Sequence, residues 1–167
     1  MAYEPIPAHL QPFVVNIVRQ ARANLEEDGH LVSFAFVGNS SIPEVIPIQF
    51  DTRSEQAKDA AAAHVRQVAE MSNADFVLLV QDAWGLPPSK MSQYREIVER
   101  YGSVSASPHR LDVAAFILET HSGFWFAQVP ITAKGLSKKK RTFSAQVEFS
   151  RGGAADGRMT NFLPKGI

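Results

Sequence analysis

The stretch "ADFVLLVQ", residues 74–81, decides how this chain folds, and "DAWG", residues 82–85, follows it directly. Five apolar residues in succession, bounded by Asp75 and Gln81, have the length of a strand rather than a helix. A continuous apolar run belongs to a central strand covered on both faces, whereas a strand with one wet face alternates. Two helices precede this run in the sequence. Leu10, Phe13, Val14, Ile17, Val18, Ala21 and Leu25 recur at three- and four-residue spacing, which predicts an amphipathic helix over about 8–28, stopped by Gly29. "TRSEQAKDAAAAHVRQVAEMS" predicts a second helix over about 54–71 with Ser54 as N-cap. Its stripe of Ala57, Ala61, Val65 and Val68 is narrow enough to lie flat on a sheet.

"LVSFAFV" (31–37) and "VIPIQF" (45–50) read as strands. Pro47 cannot donate to a ladder, so the second belongs at an edge or a bulge. "GLPPSK" breaks the regular structure, and Met91, Tyr94, Ile97 and Tyr101 suggest a short helix. "LDVAAFILET", "FWFAQVPI" and "TFSAQVEFS" read as a meander of three further strands, the last with Phe143, Ala145, Val147 and Phe149 on one face. The order α-β-β-α-β-β-β-β allows one βαβ crossover. It predicts an α+β two-layer fold, a mostly antiparallel sheet of about six strands with two helices packed on one face. Residues 1–150 form a single domain in this reading, and the glycine-rich basic stretch 151–167 is a tail that docks at its end.

Composition narrows the function classes. The chain has 167 residues, no cysteine and a formal net charge of zero. Without cysteine there is no disulfide framework, thiol nucleophile or thiolate zinc site. The start lacks the basic region of a secretory signal, and no apolar run is long enough for a membrane span, so a soluble cytoplasmic protein with no membrane partner is expected. Residues 1–131 hold nine basic and fifteen acidic side chains, whereas 132–167 hold eight basic and two acidic. An acidic body thus carries a basic end.

Several residue sets are candidates for chemistry. Asp82 and Trp84 fall where the central strand is expected to leave the sheet, and Arg110 and Asp112 fall where the next begins. If the two strands are antiparallel neighbours, Asp82 can pair with Arg110, whose planar guanidinium can also stack on Trp84. The set reads as a clasp at the base of a loop, or as an anion pocket anchored by Arg110. His109, Glu119 and His121, with Asp82 and Arg110, are candidates for a small metal-dependent hydrolase, although no HExxH or HxH spacing occurs. A satisfied arginine and a solvated turn histidine are the plainer readings. No P-loop, GxGxxG or GxSxG motif is present, and no cofactor is implied.

"KGLSKKKR", with Lys134, Lys138, Lys139, Lys140 and Arg141, reads as a hairpin loop whose charges guard a sheet edge. Its alternative is contact with nucleic-acid phosphates, aided by Arg151, Arg158 and Lys165. Phe124, Trp125 and Phe126 cannot all be buried on one sheet face. Trp125 or its two neighbours must point the other way, so Trp125 is a candidate for a partner surface, and a homodimer is expected.

"VQDAW" after one apolar strand and "SASPHRLD" before the next resemble a family of uncharacterised bacterial and phage proteins. These carry an acidic-Ala-Trp motif and then a Ser, Pro, Arg and acidic cluster. That pattern has Glu where this chain has Asp82 and Asp112, which keeps charge and shortens reach. The resemblance covers about residues 10–150 and implies fold, with no activity attached. Together these readings favour a non-enzymatic binding or assembly module of phage or mobile-element type.

Overall fold

The computed structural model describes residues 5–136, 140–152 and 161–164. Its elements are α1 (Gln11–Asp28), β1 (Phe34–Gly38), β2 (Val45–Gln49), α2 (Glu55–Met71), β3 (Phe76–Gly85), α3 (Tyr94–Tyr101), β4 (Leu111–Thr120), β5 (Gly123–Pro130), β6 (Thr132–Ala133), β7 (Arg141–Thr142) and β8 (Ser150–Arg151). Six strands form one sheet in the order β2-β1-β3-β4-β5-β8, and β6 pairs with β7 in a separate ribbon. Every pairing is antiparallel. The architecture is therefore α+β around a six-stranded antiparallel sheet. Among the described residues no helix is long and apolar enough to cross a membrane.

The helices flank the sheet instead of sharing one face, which corrects the expected two-layer packing. Phe76, Leu78 and Val80 of β3 pack with Val14, Ile17, Val18, Ala21 and Leu25 of α1. Val77 and Leu79, pointing the other way, pack with Ala62, Val65 and Ala69 of α2. The physical reason lies in the crossover. The segment β2-α2-β3 joins two strands on either side of β1, and the right-handed rule fixes α2 on one face. The opposite face of the same apolar strand must then be covered by α1.

Local signals set most boundaries. The Ser54 hydroxyl accepts the Ala57 N–H at 3.0 Å and starts α2. Gly29, at φ 79°, ends α1 in the left-handed conformation that glycine adopts without strain. The narrow stripe of α2 is centred on Ala61, Ala62, Val65 and Ala69, one position round from the spacing first read. Pro47 sits in β2, the edge strand, where one missing N–H costs least.

"TFSAQVEFS" does not form the expected strand. Only Arg141–Thr142 and Ser150–Arg151 are paired, while 143–149 has no ladder and bends at Ala145. It still buries one side. Phe143 is fully enclosed, and Val147 and Phe149 are partly buried against the α1 layer. Ala145, expected on the same face, is exposed at the bend, so the inward side is carried by Phe143, Val147 and Phe149 alone, without a neighbouring strand. At the C-terminal side, Phe162 is buried in the α2 layer beneath the guanidinium of Arg66, 5.3 Å from the ring centroid.

Candidate functional site

The site is built at the end of β3 and β4 where "DAWG" lies. β3 runs on through Gly85, so the motif is inside the strand and not at its exit. The register sets Trp84 opposite Asp112 and Asp82 opposite Ala114. Asp82, Trp84 and Asp112 therefore share the face of the sheet that α1 covers farther along. Arg110, at the approach to β4, lies over Trp84 with its guanidinium carbon 4.6 Å from the ring centroid. One guanidinium N–H donates to the Ser105 carbonyl at 2.7 Å, which ties the loop to the sheet.

The expected Asp82–Arg110 pair does not form. Arg110 is held by the indole and by Ser105, and Asp82 turns to Asp112 instead. As diagonal neighbours on one face of an antiparallel pair, the two carboxyl groups come within reach. The cation of this cluster is Arg141 of β7, which donates directly to Asp112 Oδ2. Lost hydration comes first among the causes that push the Asp82 carboxyl up to about 7, followed by the hydrogen bond and charge of Asp112, with Arg141 opposing. Because part of Asp82 still meets water, the carboxyl–carboxylate contact is the firmer cause. Below about pH 7 the proton shared by the pair therefore rests on Asp82.

The other candidates are elsewhere. Glu119 stands at the far end of β4, some nine residues or about 30 Å along the strand from Arg110. Its two carboxylate oxygens accept the backbone N–H groups of Phe162 and Leu163 at 3.0 and 2.9 Å. It is the anchor of the C-terminal segment, not a ligand of Asp82's site. His121 is exposed in the β4–β5 turn, and the His109 N–H donates to the Ser107 hydroxyl at 3.0 Å. The hydrolase constellation is therefore split between opposite ends of a ten-residue strand. Among the described residues no group of three or more His, Asp or Glu side chains is placed to hold a metal ion.

Trp125 is also not a partner surface. It is 3% exposed within the α1 layer, with Arg151 5.3 Å from its ring centroid. Its neighbour Phe126 takes the outward position at 42%. The basic ribbon is partly neutralised. Lys134 meets Glu26 at 3.1 Å, Arg141 meets Asp112, and Lys140 is engaged as well. Lys138, Lys139, Arg158 and Lys165 lie outside the described residues.

A feature missed by sequence reasoning adjoins the carboxyl pair. The excursion between β3 and β4 folds back as α3 and leaves a groove of about 740 Å³ beside β5. Trp84, Met91, Tyr94 and Phe126 line it, and each is about half exposed. No charged side chain is among its lining residues. The only advance signal was parity. Trp125 and Phe126 had to face opposite ways, and the strand's apolar alternation 125, 127, 129 selects Trp125 for the core.

No family model, curated protein or solved structure matches this chain.

Proposed function

We propose that this chain is a non-enzymatic binding and assembly module, of the phage or mobile-element type its motifs resemble, that works in the cytoplasm. It self-associates as a homodimer through the groove between α3 and β5. The observation carrying this reading is the convergence of Trp84, Met91, Tyr94 and Phe126, four of the large apolar side chains left exposed, in one concave patch. Contiguous exposed apolar surface of this kind marks association sites. An uncharged lining favours a protein surface over a polyanion, and a net charge of zero leaves copies without long-range repulsion. Sedimentation equilibrium at micromolar concentration tests it. The expected result is a dimer that Tyr94→Ser with Phe126→Ser converts to a folded monomer. A wild-type monomer removes the reading.

Nucleic acid is less well supported as a partner, because Lys134 and Arg141 are already held by carboxylates. Catalysis has no support from the carboxyl pair, because neither Asp82 nor Asp112 lines the groove.

A further inference from the structure

We propose that Asp82 and Asp112 form a proton-operated latch that holds the β6–β7 ribbon to the sheet through Arg141. Three geometric facts carry this. The β3–β4 register brings the two carboxyl groups together on one face. Arg141, the first residue of β7, is bonded to Asp112. The ribbon is also tied down at Thr142 and Lys134, both of which bind Glu26 of α1.

With a proton on Asp82, its hydroxyl donates to Asp112, and the single negative charge of the pair is matched by the single charge of Arg141. When the proton leaves for solvent, two carboxylates confront one guanidinium. Arg141 is then drawn between them, and the repulsion across β3 and β4 strains the end of the sheet that carries Trp84. Among the described residues, these charged groups bear on the pair. Asp112 from β4 and Arg141 from β7 act on Asp82. Arg110 is stacked on Trp84. Glu26 of α1 is engaged by Thr142, Lys134 and Arg22. β1 contributes no partner strand here, because its pairing with β3 ends at Val80. The high proton affinity of Asp82, up to about 7, places the transition near neutral pH. The latch stands on these contacts alone and is independent of the groove reading.

An NMR titration of the full chain from pH 5 to 9 tests it, following the Asp82 carboxyl carbon, the Trp84 indole N–H and the Arg141 and Thr142 amides. The expected result is one shared midpoint near 7, about three pH units above an ordinary aspartate. In Asp82→Asn, which keeps the hydrogen bond to Asp112, the movements at Trp84 and Arg141 should disappear. In Arg141→Gln, Asp82 and Trp84 should still titrate while Thr142 stays still. Asp82 titrating near 4 in the wild type would overturn the proposal, and so would an Arg141 amide that ignores the Asp82 transition.

Discussion

Replacing Phe143 by Ala tests whether the segment 143–149 is part of the core. The Phe143 ring is 1% exposed and meets Phe116 edge to face, centroids 5.9 Å apart at 65°. Deleting a fully buried phenylalanine costs about 3–5 kcal/mol in transfer and cavity terms. The aromatic contact adds about 0.5–1.5 kcal/mol. Against this, 143–149 has no strand partner and can settle into the space, so the lower end, about 3 kcal/mol, is expected. The backbone bond from Arg22 Nε to the Phe143 carbonyl, 2.7 Å, survives the change. Urea unfolding followed by circular dichroism should show a lower midpoint at unchanged slope. In a chain of this length the melting temperature should fall by roughly 6–12 °C. Met71→Ala is the control. Its side chain is 80% exposed at the end of α2, outside the groove, and its loss should stay within about 0.5 kcal/mol. A Phe143→Ala loss below about 1 kcal/mol, or equal losses for the two variants, would refute the layer assignment.

Four further outcomes are expected. Phe162→Ala, at a side chain 3% exposed, should destabilise by about 3–5 kcal/mol and Glu119→Gln by about 1–2, with a clear coupling term in the double variant because both fix one segment. Ser54→Ala should cost about 1 kcal/mol by urea titration, through loss of the α2 cap. Gly38→Ala should cost about 1–3 kcal/mol, because a Cβ there would stand 2.3 Å from the Phe76 ring, itself packed against Phe13. Stability should also depend on pH through Asp82. Its carboxyl binds a proton more tightly folded than unfolded, so its contribution is complete below about 4 and is lost as pH rises through about 7. Because Asp82 is well exposed, the effect after screening is of order 1 kcal/mol, and Asp82→Asn should flatten that part of the profile.

The central strand was legible because five consecutive apolar residues can be satisfied only by cover on both sides. The same run already argued against two helices on one face. What sequence could not convey was which helix took which side, since that depends on the handedness of a crossover and not on any residue. The clasp was half readable. Charge and ring chemistry pointed to an arginine on Trp84, and Arg110 is there. The carboxylate pairing was missed because β3 continues through "DAWG", which slides Asp82 toward Asp112. The cation for Asp112 comes from Arg141, 29 residues downstream, and no local pattern announces it. Alternation in 143–149 misled because an unpaired segment laid on the core also buries spaced apolar side chains, while Ala145 turns out to solvent at a bend.

The docking of Phe162 and Leu163 on Glu119 spans 43 residues of chain. During translation β4 emerges well before the residues that cover its end of the α2 layer, an interval of roughly 2–9 seconds at ordinary elongation rates. Over that time the part of the α2 layer that Phe162 covers lacks this cover.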